Sequence, residues 1–212
     1  MSARTGLAGL HVITDARGGD EQLRAVAAAL AAGAQVVQVR IKGATDRALH
    51  DFAAQVVALC AEHGAICLVN DRVDVALATG AHGTHLGADD LPMAAARRVA
   101  GPDHLLGGTA RTAETARLLV EQGADYLGVG PAYRTTTKTG LPDSLGPAGV
   151  HAVAQAVTVP VVAIGGVTVE RIPELLAAGA AGVAVVSAVA AADDPGTATR
   201  DLVAAIAAGG RP

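Results

Sequence analysis

The chain contains no tryptophan, one phenylalanine and two tyrosines among 212 residues. Aromatic platforms on which nucleic-acid bases could stack are therefore nearly missing. Basic charge is equally scarce. Sixteen Lys and Arg stand against 20 Asp and Glu, a formal net charge of −4, which leaves no positive surface to neutralise a phosphate backbone. Nucleic acid is thus not an expected partner. Cysteine is limited to Cys60 and Cys67, whose spacing fits neither a CxxC redox motif nor a zinc pair. Two free, buried thiols in a reducing compartment are the expectation. Long hydrophobic runs are missing too: no ~18 strongly apolar residues run together unpunctuated, as a membrane span requires. Met1 to Leu10 carries a lone Arg4 and no apolar stretch of signal-peptide length. These absences suit a cytoplasmic protein that does not enter the membrane.

What the chain does have is aliphatic bulk. Half of it is apolar, at 51%, and that half is mostly Ala, Val and Leu. The length suits one domain over residues 1–212 and lies toward the lower end for an αβ-barrel. Short β-rich runs alternate with amphipathic stretches. The β-like runs are Leu10–Ile13, Val36–Val39, Ile66–Val69, Gly83–Leu86, His104–Leu106, Tyr126–Val129, Val161–Ile164 and Val183–Val186. Helix-like stretches between them include Glu21–Ala32, Asp46–Glu62, Ala113–Gln122 and Val169–Ala178, and Gly33, Gly64, Gly80, Gly123 and Gly179 follow helices where a glycine C-cap belongs. Eight strands alternating with helices predict a single (β/α)8 TIM barrel. A doubly wound open sheet alternates in the same way, but no GxGxxG follows the first strand, and the strands are short and rich in Val and Ile.

In a parallel barrel, chemistry collects at the C-terminal ends of the strands. After the second strand, period-2 alternation sets Gln38, Arg40 and Lys42 on one face and Val39 and Ile41 on the other. Such a row suits an anion with several oxygens, since Arg grips bidentately and Lys adds a mobile charge; a solvated strand end with ion pairs is the alternative. Asn70, Asp71 and Arg72 follow the third strand, and Gly87 to Asp90 follow the fourth. Neighbouring strands lie ~4.8 Å apart, so Asp71 and Asp90 can share a cation. Mg²⁺ takes one or two carboxylates and fills its other positions with water and phosphate oxygens. Helix capping by the same two residues is an equally good reading of the sequence.

Gly107, Gly108 and Thr109 read as a small-residue turn that opens the Ala113 helix, with a hydroxyl able to cap or to meet an anion. His11, His82 and His85 sit in or beside strands, where core satisfaction is the commoner role. After the sixth strand comes a long connection that holds Tyr133, Arg134, Thr135, Thr136, Thr137 and Lys138, with the next helix expected near Pro147. Long βα connections are usually binding loops or lids. Gly165-Gly166 after the seventh strand and Val186-Ser187 after the eighth fit a barrel phosphate site, where glycines let backbone N–H groups approach an anion.

Taken in order, these segments resemble the thiamine phosphate synthase family from His11 through Ala190. The resemblance rests on His11-Val12-Ile13-Thr14-Asp15, Gln38-x-Arg40-x-Lys42, Asn70-Asp71-Arg72-Val73-Asp74, His85-Leu86-Gly87-x-x-Asp90, Thr135-x-Thr137-Lys138, Ala163-Ile164-Gly165-Gly166 and Val186-Ser187. Each is weak alone; their sequence along the chain is specific. The resemblance implies a transferase that joins a hydroxymethylpyrimidine pyrophosphate to a thiazole phosphate, yielding thiamine phosphate and pyrophosphate. It implies Asp71 and Asp90 as ligands of Mg²⁺. Gln38, Arg40, Lys42, Asn70, Thr109 and Lys138 would meet the pyrimidine and its pyrophosphate, with Arg40, Lys42 and Lys138 acting on the leaving group. Thr135, Thr137, Gly166, Val186 and Ser187 would meet the thiazole phosphate. Two phosphorylated small molecules are then the partners, and a homo-oligomer is compatible with the sequence.

The chain departs from the family pattern at Ile41, where Glu is frequent, at Ala88, where Gln is common, at Thr109, where Ser is usual, and at Arg134, often Pro. Two other readings stay open at this point. A thiazole tautomerase shares the Gly165-Gly166 region but tends to lose the metal aspartates and the loop Thr-x-Thr-Lys. A non-catalytic barrel that senses a phosphometabolite would need only the phosphate site.

Overall fold

The computed structural model describes residues 6–14, 18–135, 140 and 142–210. Eight parallel strands close on one another in sequence order: β1 (Gly9–Ile13), β2 (Val36–Val39), β3 (Ile66–Asn70), β4 (Gly83–Leu86), β5 (Leu105–Ala110), β6 (Tyr126–Val129), β7 (Val161–Ile164) and β8 (Gly182–Val185). The helices are α1 (Asp20–Ala31), α2 (Asp46–His63), α3 (Val73–Thr79), α4 (Met93–Ala100), α5 (Ala113–Glu121), α6 (Gly146–Ala154), α7 (Ile172–Ala177), α8 (Ser187–Ala190) and α9 (Pro195–Gly209). A 3-10 turn, Val169–Arg171, leads into α7. This is the (β/α)8 barrel expected, and β1 closes it against β8 in the register Gly9↔Gly182 to Val12↔Val185.

Strand alternation divides the apolar residues between two layers. Val37 and Val39 of β2 point out into a cluster with Phe52, Val56 and Cys60 of α2. Val36 of the same strand joins Leu68, Leu105, Tyr126 and Val162 in the lumen. Because no tryptophan is available, the buried Tyr126 is the largest side chain there. Both cysteines are buried and free; the hydrogen bond with Cys60, then burial, pushes the Cys67 thiol far above its usual range, so it is inert as a nucleophile.

Helix ends follow local chemistry. Thr45 caps α2 through Ala48 N–H at 3.3 Å, and Gly64 (φ 63°) closes it in the left-handed region. Thr112 caps α5 and Asp194 caps α9. Among the described residues no helix is long and apolar enough to cross a membrane.

One expectation is corrected. Gly107, Gly108 and Thr109 are not a turn: they lie inside β5, which runs four residues past its anticipated end, Leu106, and α5 takes Thr112 as its cap. The two glycines are there for packing. A Cβ on Gly107 would stand 2.2 Å from the Tyr126 ring, and one on Gly108 would stand 3.0 Å from Met93 Cε. Glycine looks like a turn locally, whereas here Gly107 makes room for the adjoining strand and Gly108 for the helices packed outside it.

Candidate active site

At the C-terminal mouth of the barrel the strand ends enclose a cavity of about 350 Å³. Gln38, Arg40 and Lys42 all line it, while Ile41 turns outward and packs with the α2 cluster, as the period-2 reading requires. The chain stays extended beyond Val39 because Thr14 holds it. Arg40 N–H donates to Thr14 Oγ1 at 2.8 Å, Thr14 Oγ1 donates to Arg40 O at 3.2 Å, and Thr14 N–H donates to Gln38 O at 2.9 Å. Thr14 carries this anchoring role through a contact 26 residues long in sequence.

Asp71 and Asp90 both line the cavity. Asp71 is the only described non-glycine residue with positive φ, at 66°, a left-handed conformation that Asp tolerates better than most residues. Its N–H donates to His85 O at 2.8 Å, continuing the β3–β4 ladder past Asn70↔His85. The carboxylate then meets Lys42 Nζ at 3.3 Å. Asp90 accepts from Gly87 N–H at 2.6 Å. Neither aspartate caps a helix: the residues at the N-caps of α3 and α4 are Arg72 and Pro92, and neither helix has a side-chain cap. Partial burial, then the adjacent Asp71 carboxyl, raises the Asp90 pKa above its ordinary value. Two carboxyls this close to each other favour a shared proton or a cation.

Their chemistry fits a hard divalent ion. Two carboxylates suit Mg²⁺ with water and phosphate oxygens completing its shell, and among the described residues no group of three His, Cys, Asp or Glu could build a closed transition-metal site. His85 does not join them. Its Nδ1 lies 2.8 Å from Tyr126 Oη and its Nε2 lies 3.0 Å from Thr109 Oγ1.

His85, Thr109, Tyr126 and His11 form a polar floor beneath the cavity. Burial lowers the pKa of His11 and of His85 to about 4, His11 further lowering His85, so both imidazoles are neutral. His11 Nε2 faces Leu7 O at 2.8 Å. Since a carbonyl only accepts, Nε2 carries the proton. The expectation of core-satisfied histidines fails for His82, which is exposed although its Nδ1 accepts from Cys67 N–H at 3.1 Å; His11 and His85 are satisfied and also line the site. Tyr126 escaped notice because it opens a strand; its position inside the lumen depends on the register of β6 against β5.

Across the mouth, Gly165 (φ 96°), Gly166 (φ 63°), Val186 and Ser187 also line the cavity. A Cβ on Gly166 would stand 2.5 Å from Arg134 O, and one on Gly165 would stand 2.7 Å from Pro131 Cβ, so these glycines admit the connection after β6. Ala132 and Tyr133 N–H groups donate to Ile164 O and Gly165 O at 2.7 and 3.0 Å. Arg171 donates to Gly166 O at 2.6 Å and stacks 4.4 Å above the Tyr133 ring, whose hydroxyl bonds Glu174. Arg111 ties together the two ends of the same connection by donating to Gly130 O and Asp143 O at 2.9 and 2.8 Å. Sequence reasoning picked out neither Arg111 nor Arg171. Asn70, Thr109 and Thr135 line the cavity; Thr137 and Lys138 lie outside the described residues.

The sequence model of the family described as thiamine monophosphate synthase matches residues 10–189. The chain is 56% identical over 200 residues to the thiamine-phosphate synthase of Salinispora arenicola, covering 93% of this chain and 96% of that protein. It is 45% identical over 199 residues to the thiamine-phosphate synthase of Chloroflexus aurantiacus, covering 93% and 92%. A thiamine phosphate pyrophosphorylase structure from Pyrococcus furiosus superposes with a TM-score of 0.89 at 37% identity, covering 97% of this chain and 98% of that one. The chain belongs to the thiamine monophosphate synthase family.

Proposed function

We propose that this member of the thiamine monophosphate synthase family is a transferase that condenses 4-amino-2-methyl-5-hydroxymethylpyrimidine pyrophosphate with a thiazole phosphate, releasing thiamine phosphate and pyrophosphate. One observation carries the reading: a single cavity has paired carboxylates with Lys42 and Arg40 on one side, and the Gly165-Gly166 turn with Ser187 on the other. That is room for two phosphorylated ligands, one of them beside a cation site.

Arg40 and Lys42 bind the pyrophosphate and stabilise the negative charge that grows on it as its C–O bond breaks. Lys138, assigned from the family resemblance, adds a third positive charge. Asp71 and Asp90 would hold Mg²⁺, which when bound would neutralise further charge on the leaving pyrophosphate. The aminopyrimidine lies on the floor beside Gln38 and Asn70, and its ring electrons support a dissociative displacement. The Gly166, Val186 and Ser187 side, together with Thr135 and Thr137, orients the thiazole so that its nitrogen faces the reacting methylene. Alignment of the two partners supplies much of the rate. No enzymic nucleophile is needed.

Incubating purified protein with Mg²⁺ and both substrates should yield thiamine phosphate and pyrophosphate in equal amounts. Folded protein that forms neither above background refutes the proposal.

A further inference from the structure

The hydroxyl of Tyr126 is fully enclosed, with His85 Nδ1 at 2.8 Å and the Gln38 amide as its second polar neighbour. His85 Nε2 continues to Thr109 Oγ1 at 3.0 Å. Gln38 and Thr109 both line the cavity, so the two ends of this four-residue chain face the ligand. Neither nitrogen of His85 meets a carboxylate, and a neutral imidazole has one donor and one acceptor. The chain can therefore run in only two directions, and its ends are coupled.

In one direction Thr109 donates to His85, His85 donates to Tyr126, and Tyr126 donates to the Gln38 carbonyl. Thr109 then offers the cavity only lone pairs, and Gln38 offers it an NH₂ group. In the other direction Gln38 donates to Tyr126, Tyr126 donates to Nδ1, and Nε2–H donates to Thr109. Thr109 then has its O–H free for the ligand, and Gln38 presents its carbonyl oxygen. With the aminopyrimidine beside Gln38, only the second direction gives its exocyclic amine an acceptor there, and the same direction leaves the Thr109 O–H free to donate to the ligand.

We propose that Tyr126 and His85 are positioning residues that fix this second polarity, making Gln38 an acceptor and Thr109 a donor, and thereby select an aminopyrimidine over its oxo counterpart. The proposal rests on the synthase reading above. A single isosteric change tests it, since Tyr126→Phe removes the hydroxyl and leaves Gln38 free to rotate.

The measurement is kcat/KM for the 4-amino pyrimidine pyrophosphate and for its 4-oxo analogue, in wild type and in Tyr126→Phe, at saturating thiazole phosphate and Mg²⁺. Wild type should favour the amine by about 100-fold or more, because a site built to pair a polar group rejects a mismatched one strongly. Tyr126→Phe should shrink that ratio about tenfold or more, with the oxo analogue losing less than the amine. Equal losses for both substrates, or an unchanged ratio, overturn the proposal. Wild type that makes no product from either substrate refutes the synthase reading itself. Should Tyr126→Phe fold poorly, ¹⁵N NMR of wild type decides alone. The proposal requires the Nε2–H tautomer of His85, and an Nδ1–H tautomer overturns it.

Discussion

Two neutral imidazoles under the cavity make the stability of this protein acid-sensitive well above the carboxylate range. His11 and His85 lose their protons near pH 4 in the folded chain, against 6.5 for an exposed histidine. Between those values the unfolded chain binds protons that the folded chain does not. Unfolding takes up protons in that window, so stability is complete above pH 6.5 and is lost as pH falls toward 4. Each proton contributes a slope of about 1.4 kcal/mol per pH unit, so the pair gives about 2.7 kcal/mol per unit. From pH 6.5 to 4.5 the loss is about 4 kcal/mol, because the slope is only partial near each pKa, and that is a large part of a typical domain's 5–15 kcal/mol.

His104, also lowered by burial, acts in the same direction. Asp90 acts in the opposite one, because its raised pKa favours the folded state at low pH; as one partly exposed group it does not outweigh two enclosed ones. The assay is urea unfolding followed by circular dichroism at half-unit steps from pH 7.5 to 5. His11→Gln keeps an amide donor for Leu7 O and removes one titrating group, so its slope against pH should be lower by about one proton. A wild-type stability that stays flat from pH 7 to 5 would falsify the reasoning, as would an unaltered slope in His11→Gln.

Asp71→Asn and Asp90→Asn should each lower turnover by about two orders of magnitude, with the melting temperature moved by no more than a few degrees, since neither residue caps a helix. A large thermal loss with activity retained would restore the capping role. Gly107→Ala places a methyl 2.2 Å from the Tyr126 ring and should cost about 1–3 kcal/mol in chemical denaturation; an unperturbed protein would mean that the two strands do not pack this way. Arg171→Met removes both the bond to Gly166 O and the stacking on Tyr133, so KM for the thiazole phosphate should rise several-fold while KM for the pyrimidine stays near wild type. A matching rise for both substrates in steady-state kinetics would count against separate phosphate sites.

The sequence made the strand ends legible because barrel topology converts chain order into adjacency. Asp71 and Asp90 follow consecutive strands, and consecutive strands pair in β1 through β8, so proximity followed once the barrel was accepted. Alternation gave the facing of Gln38, Arg40 and Lys42 for the same reason: a two-residue period is a local property. Gly107 and Gly108 read as a turn in the sequence because local propensity is blind to what fills the space above a missing side chain. For Gly107 that occupant is Tyr126, supplied by the next strand, and for Gly108 it is Met93 of α4 with Leu119 of α5.

Orientation was less legible than position. Thr14 holds Arg40 across 26 residues, Tyr126 meets His85 across 41, and Arg111 bridges to Asp143 across 32. Each of these contacts exists in one strand register, or one loop path, and vanishes when it slips by a residue. A charged group at a strand end therefore announces itself in the sequence, whereas the neutral group that aims it does not. The functional consequence is a division of labour. On the proposed function, Lys42, Asp71 and Asp90 would supply charge that is tolerant of small displacements, while Tyr126, His85 and Thr109 would supply hydrogen-bond direction, which is not. Selectivity between ligands of equal charge would then come from the buried floor, where the residues with the least conspicuous sequence signature would have the most control over it.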